Sequence, residues 1–197
     1  LANGLSNYDY SVDLVLANAI GPYLQEISPK AHLVNLACPR VILSLPGLII
    51  YLRKNRPDAL LSAVSHANLV ALLAVKIARV STRIVVSERN NVSVKHEVMF
   101  GVRMRLVKFL CRKLYKYADE IHAVSKGVAD SVAQTLLLDR DRITVVYNPV
   151  VTQEIIWRSL AAQDYPWLLN IARPFIAAAG RLTGQKDFST LLRAFAL

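Results

Sequence analysis

Short apolar runs alternate along this chain with longer stretches in which apolar positions recur every three or four residues. The runs at Val12 to Leu16, His32 to Leu36, Ala59 to Val64, Arg83 to Ser87, Glu120 to Val124 and Ile143 to Tyr147 are predicted as strands. Their near-continuous apolar character suits strands buried on both faces, as parallel strands are. Helical periodicity predicts helices over Val41 to Lys54, Ala67 to Arg79, Glu97 to Tyr117, Val128 to Leu137 and Thr152 to Ala162. Strands and helices in alternation imply an α/β fold, a Rossmann-like parallel sheet with helices on both faces. The Asn148-Pro149 turn and the segment Asp164-Tyr165-Pro166-Trp167 mark a boundary. The expected organisation is one domain over residues 1–150, a linker over 151–172, and over 173–197 the start of a second Rossmann-like domain.

The strand ends are where such a sheet offers chemistry, because ligands of parallel α/β sheets bind outside the carboxyl ends of the strands. Phe175 to Ala179 is predicted as a further strand, followed by Gly180 at a tight turn, by Arg181 and Lys186, and by a helix capped by Asp187 or Ser189. Backbone amides and a helix dipole favour an anion there, and the two cations add charge. Two readings of these residue types are open: a phosphate-binding loop, or a plain turn carrying two solvated cations.

The wording of three segments is more specific. Gly180-Arg-Leu-Thr-x-Gln-Lys-Asp-Phe-x-x-Leu-Leu-x-Ala-Phe195 resembles the start of the donor domain in retaining glycosyltransferases of family four. Ile143-Thr-Val-Val-Tyr-Asn-Pro-Val150 and Ala123-Val-Ser-Lys-Gly-Val-Ala-Asp130 resemble the last strand and a strand-to-helix turn of that family's N-terminal domain. The resemblance implies a two-domain fold of the GT-B type and transfer of a sugar from a nucleotide-diphosphate donor with retention of configuration. It gives Arg181 and Lys186, with Gly180, the role of holding the donor diphosphate, uridine- or guanosine-linked in most members. It implies no cofactor and no metal. On the same comparison residue 1 falls after the family's first strand, and the paired glutamates that grip the donor lie beyond Leu197. The 1–197 chain alone is therefore expected to be an inactive fragment. Acceptors in the family are sugars or lipid-linked sugars, in keeping with cell-surface polysaccharide or glycolipid synthesis.

Further cleft candidates come from the other strand ends. Glu88 and Arg89 follow the Arg83 strand, where many relatives carry a histidine; Arg89 is a candidate for an anionic acceptor or the diphosphate, Glu88 for orienting an acceptor hydroxyl, and mutual pairing is the alternative. His66 either lines the acceptor side or is a satisfied buried imidazole. Ser125 and Gly127 either meet a ligand or simply cap a helix. His32, His96 and His122 have no partners at metal-ligand spacing.

Composition narrows the classes further. With 54% hydrophobic residues among 197 the chain has ample core, and disorder is excluded. Cys38 and Cys111 fit incidental thiols in a reducing, cytoplasmic setting. The apolar stretches Val41 to Leu52 and Leu69 to Ala78 are too short to span a bilayer. The net charge of +10 is concentrated between Val98 and Ala118, where six cations stand without an acid. Arg105, Lys108, Arg112 and Lys116 form a stripe, and Leu106, Phe109, Leu110 and Leu114 give an apolar side that faces the sheet if the helix is an ordinary surface element. Such a helix is either a solvated surface element or a contact with an anionic membrane at its inner face. A nucleic-acid role is not expected, since no nucleic-acid motif accompanies the stripe. Two alternatives to transfer stand beside it: a non-catalytic basic membrane- or partner-binding module, and a nucleotide-sugar epimerase of the same fold.

Overall fold

The computed structural model describes residues 1–8, 10–90, 102–151, 153–161, 176–184 and 186–196, with the side chains of 102–104 excepted. The chain divides into two compact units, Leu1–Val150 and Val151–Leu197.

In the first unit the strands are β1 (Val12–Leu16), β2 (Ala31–Asn35), β3 (Ala59–Ala63), β4 (Arg83–Glu88), β5 (Glu120–Ala123) and β6 (Ile143–Val145). The helices are α1 (Ala2–Leu5), α2 (Leu45–Asn55), α3 (Ser65–Ala78), α4 (Val102–Leu114) and α5 (Lys126–Leu136). All the pairings are parallel, so within each sheet the strand C-termini share one edge. The α/β class with flanking helices is as expected, but the single sheet is not. β1 pairs with β2 in one sheet, and β3, β4, β5 and β6 form another in chain order. Among the described residues no strand joins β1 to β3.

Helices hold the two sheets instead. Val70, Ala74 and Ala78 of α3 pack with Leu48, Tyr51 and Leu52 of α2, and this cluster takes in Val15 of β1, Val34 of β2 and Leu60 of β3. The small side chains of Ala74 and Ala78 give the larger α2 residues room. The other side of α3 contributes Leu69, Ala71 and Leu72 to a second cluster with β4, α4, β5, α5 and β6. A helix that serves two cores is apolar nearly all round, which is why Leu69 to Ala78 reads as a continuous apolar run.

Local signals explain most boundaries. Val41 to Lys54 begins as a 3-10 turn, Val41–Ser44, and becomes α-helical only at Leu45, where Pro46 occupies the first turn. The α2 and α3 helices end on left-handed residues, Arg56 and Arg79. Arg53 donates through Nη2 to the Ile77 carbonyl at 3.1 Å, satisfying an orphan acceptor at the α3 terminus. Tyr51 Oη donates to Asp13 Oδ2 at 2.6 Å and fastens α2 to β1.

In the second unit the structure describes α6 (Gln153–Leu160) and α7 (Phe188–Phe195). Residues 176–180 are not in a strand, contrary to expectation. A strand needs a neighbour for its backbone groups, and none stands beside this segment among the described residues. The Asp164 to Trp167 boundary and the Glu97 to Gly101 start of the predicted basic helix lie outside the described residues.

Candidate functional site at the strand C-termini

The C-terminal ends of β3, β4 and β5, with the residues after β6, gather the candidates of the first unit. Glu88, the last residue of β4, and Arg89, the first beyond it, have opposite fates. Glu88 turns inward and is only 1% exposed. Its Oε1 accepts from Tyr115 Oη and, at 3.2 Å, from Asn68 Nδ2, while Oε2 accepts from Ser65 Oγ at 3.0 Å. Asn68 Nδ2 also reaches the Ser87 carbonyl at 3.1 Å. Glu88 therefore faces the interior rather than an acceptor in the cleft. It ties the end of β4 to the first turn of α3 and to the 3-10 turn after α4. Burying a carboxylate costs several kcal/mol unless donors replace its water, and here three side chains do so.

Arg89 turns the other way. It is exposed, and its Nη1 donates to Asn148 Oδ1 at 3.0 Å, bridging the loop after β4 to the turn after β6. The arrangement joins a cation to the Asn-Pro turn, with Arg89 and Glu88 directed to different partners.

His66 is exposed in the first turn of α3, not buried. Val64 before it has φ 80°, a conformation costly for a β-branched residue, which turns the chain sharply from β3 into the helix. Ser125 caps α5, its Oγ accepting from the Val128 amide at 3.2 Å. A Cβ on Gly127 would meet nothing within 4 Å, so the start of α5 is open above that residue. Sequence reasoning passed over Asn68, Ser65 and Tyr115. A signal was present for Asn68, the one amide in an otherwise apolar helical run.

In the second unit, Thr183 N donates to the Arg181 carbonyl at 2.8 Å and Lys186 N to the Thr183 carbonyl at 2.9 Å, so the loop is two successive turns. They bring the Lys186 stem back over Gly180: a Cβ there would lie 3.4 Å from Lys186 Cγ and Cδ and from Phe188 Cζ. Gly180 was expected to serve by turning the backbone; its φ lies outside the left-handed region, and what it supplies is room. Asp187 caps α7, with Oδ1 accepting from the Thr190 amide at 3.3 Å. Arg181 and Lys186 are both exposed on this one loop.

Electrostatics around Glu88 show in its neighbours. Burial first, and the Glu88 charge second, push the Cys111 thiol from 9.0 up to about 12. The same two causes, in the same order, raise the Tyr115 hydroxyl well above its ordinary range. Both groups stay protonated in the folded chain and lose protons more easily when unfolded. Their contribution to stability is thus complete below the unfolded values and lost as pH rises through the folded ones, for Cys111 between 9.0 and about 12. The urea midpoint is expected to fall over that window, and Cys111→Ala to make the fall shallower.

Among the described residues no cluster of three or more His, Cys, Asp or Glu is placed to hold a metal ion. No helix among them is long and apolar enough to cross a membrane.

Comparison with known proteins accords with this geometry. The chain is 28% identical over 133 residues to the N-acetylgalactosamine-N,N'-diacetylbacillosaminyl-diphospho-undecaprenol 4-alpha-N-acetylgalactosaminyltransferase of Campylobacter jejuni subsp. jejuni serotype O:2. The match covers 68% of this chain and 34% of that relative, so the chain spans about a third of the relative's length. The family model of Glycosyltransferase Family 4 matches residues 1–154, most of the chain. A parallel α/β domain with its polar strand ends on one edge, matched over its whole length by that model, belongs to glycosyltransferase family 4.

Proposed function

We propose that the protein transfers a sugar from a nucleotide-diphosphate donor, uridine- or guanosine-linked, to a lipid-linked acceptor with retention of configuration. The family match over residues 1–154 carries this reading. The acceptor class rests on the relative, whose name specifies a diphospho-undecaprenol substrate.

In this reading the first unit receives the acceptor and the Gly180 to Lys186 loop holds the donor's diphosphate. Departure of a nucleoside diphosphate builds negative charge on its oxygens. Fixed cations stabilise that charge best when they are already in place, since no reorganisation is then needed. The folding of the Lys186 stem onto Gly180 supports such a role, because it limits where the ammonium group can go. Arg181 adds a planar donor fork suited to bidentate phosphate contacts. At the β4 and β6 ends, Arg89 held by Asn148 is the side chain assigned to an anionic group of the acceptor. His66, Ser125 and Gly127 border the same edge and are assigned to acceptor hydroxyls.

Calorimetric titration of the full-length protein with uridine and guanosine diphosphates tests this assignment. Charge-assisted hydrogen bonds contribute roughly 1.5–3 kcal/mol, so Lys186→Ala is expected to weaken binding by about 10- to 100-fold. Gly180→Val, which crowds the Lys186 stem, is expected to do so to a lesser degree. Unaltered affinity in Lys186→Ala and Arg181→Ala would remove the loop from the donor site.

A further inference from the structure

The basic helix α4 presents a different face from the one its charges suggest. Leu106 and Phe109, expected against the sheet, are 56% and 55% exposed. The core side of the helix is formed by Cys111 and Leu114, continued by Tyr115. Of the predicted basic stripe, Lys108 and Arg112 are half-buried, and Arg112 Nε donates to the Thr135 carbonyl at 3.1 Å, joining α4 to α5. Its charge is used within the fold rather than offered outward.

The outward stripe is instead Arg105, Phe109, Lys113 and Lys116, at spacings of four, four and three, with Leu106 alongside. Lys113 Nζ lies 5.8 Å from the Phe109 ring centre. At the end of the helix Tyr117, half exposed, sits between Lys116 and Lys76, whose Nζ atoms are 5.1 and 4.2 Å from its ring centre. Lys76, Ile77 and Arg79 of α3 extend the surface, and no acidic residue stands between Val102 and Ala118.

We propose that this face, formed by the outward side of α4 and the Lys76 to Arg79 end of α3, docks on a bilayer of anionic phospholipid. Two exposed apolar side chains one turn apart are poorly explained by solvent. They are the size and spacing for insertion at the headgroup boundary, where Phe and Leu are favoured. Cations flank them on both sides and complement an anionic surface, whose attraction holds the helix in the membrane plane. Rings and ammonium groups alternate along the face, so apolar insertion and headgroup contact use the same orientation. Docking goes beyond sugar transfer, because it requires neither donor nor acceptor.

The test is flotation of the full-length protein with vesicles of phosphatidylcholine alone and of phosphatidylcholine with phosphatidylglycerol, lacking any sugar acceptor. Binding to the anionic vesicles only is expected, weakened about thirtyfold by the pair Lys113→Gln and Lys116→Gln and about tenfold by Phe109→Ser. Ile20→Ser removes a still more exposed apolar side chain from the loop after β1 and is expected to have no effect. All these positions are solvent-facing, and circular dichroism of each variant confirms that the fold is retained. Binding indifferent to lipid charge, binding unchanged in both the lysine pair and Phe109→Ser, or no binding at all overturns the proposal. So does self-association abolished by Phe109→Ser without any vesicle binding, which would make the face a contact between copies.

Discussion

Glu88→Ala is expected to destabilise the protein by about 3–5 kcal/mol, because it deprives three neutral donors of their acceptor, at about 1–3 kcal/mol for each donor left unsatisfied in the interior. The substitution takes the carboxylate acceptor from the buried Tyr115 hydroxyl and from the Ser65 hydroxyl, and one acceptor from the Asn68 amide, which keeps the Ser87 carbonyl. For a protein of this size that corresponds to a fall in melting temperature of about 10 °C. Tyr115→Phe removes one donor and leaves the carboxylate Asn68 and Ser65, so about 1–3 kcal/mol is expected. The two effects are coupled through one contact. In the Glu88→Ala background Tyr115→Phe is expected to cost much less than in the native protein, which a double-mutant cycle read by urea unfolding measures directly. A neutral Glu88→Ala would mean that the carboxylate does not organise the β4 end.

Leu52→Ala is expected to cost about 2–5 kcal/mol, the range for a leucine removed from a packed core. Leu52 is fully buried in a cluster with Ala74 and Ala78 of α3, whose methyl groups are too small to fill the space it would leave. The position also matters for architecture. The α2 and α3 pair is the packing shared by the β1–β2 sheet and by β3, and a cavity there loosens both. Leu43→Ala, on an exposed side chain a few residues earlier, is expected to change stability by less than about 0.5 kcal/mol. Equal effects at the two positions would contradict the described packing.

The strands were the most legible feature. Val12–Leu16 was predicted to the residue, from a short apolar run broken only by Asp13. In β4, covering on both faces hid the direction of Glu88. Where both faces of a strand are buried, period-two alternation is absent, and nothing in Val85-Val86-Ser87-Glu88-Arg89 tells which side chain turns inward. Division into two sheets was not legible either, since strand pairing is a long-range matter that local patterns do not encode. The basic helix was misread for a third reason. Long cationic side chains can lie along a half-buried flank while their heads find a carbonyl, as Arg112 does at Thr135. Counting charges by spacing put Arg112 outside and Phe109 inside, whereas Phe109 is exposed and Arg112 half-buried. The helix Phe188–Phe195 formed with Asp187, one of its two candidate caps, whereas the apolar run before it did not form a strand, because an apolar run specifies burial and not a partner.

The central claim is that the protein grips the diphosphate of a nucleotide sugar. It is tested most directly by thermal unfolding of the full-length protein with a graded ligand series: nucleoside, nucleoside monophosphate and nucleoside diphosphate, for uridine and for guanosine. Stabilisation that appears only at the diphosphate, for one of the two bases, is the predicted result. A folded protein that no diphosphate stabilises, or that the bare nucleoside stabilises equally, would contradict it.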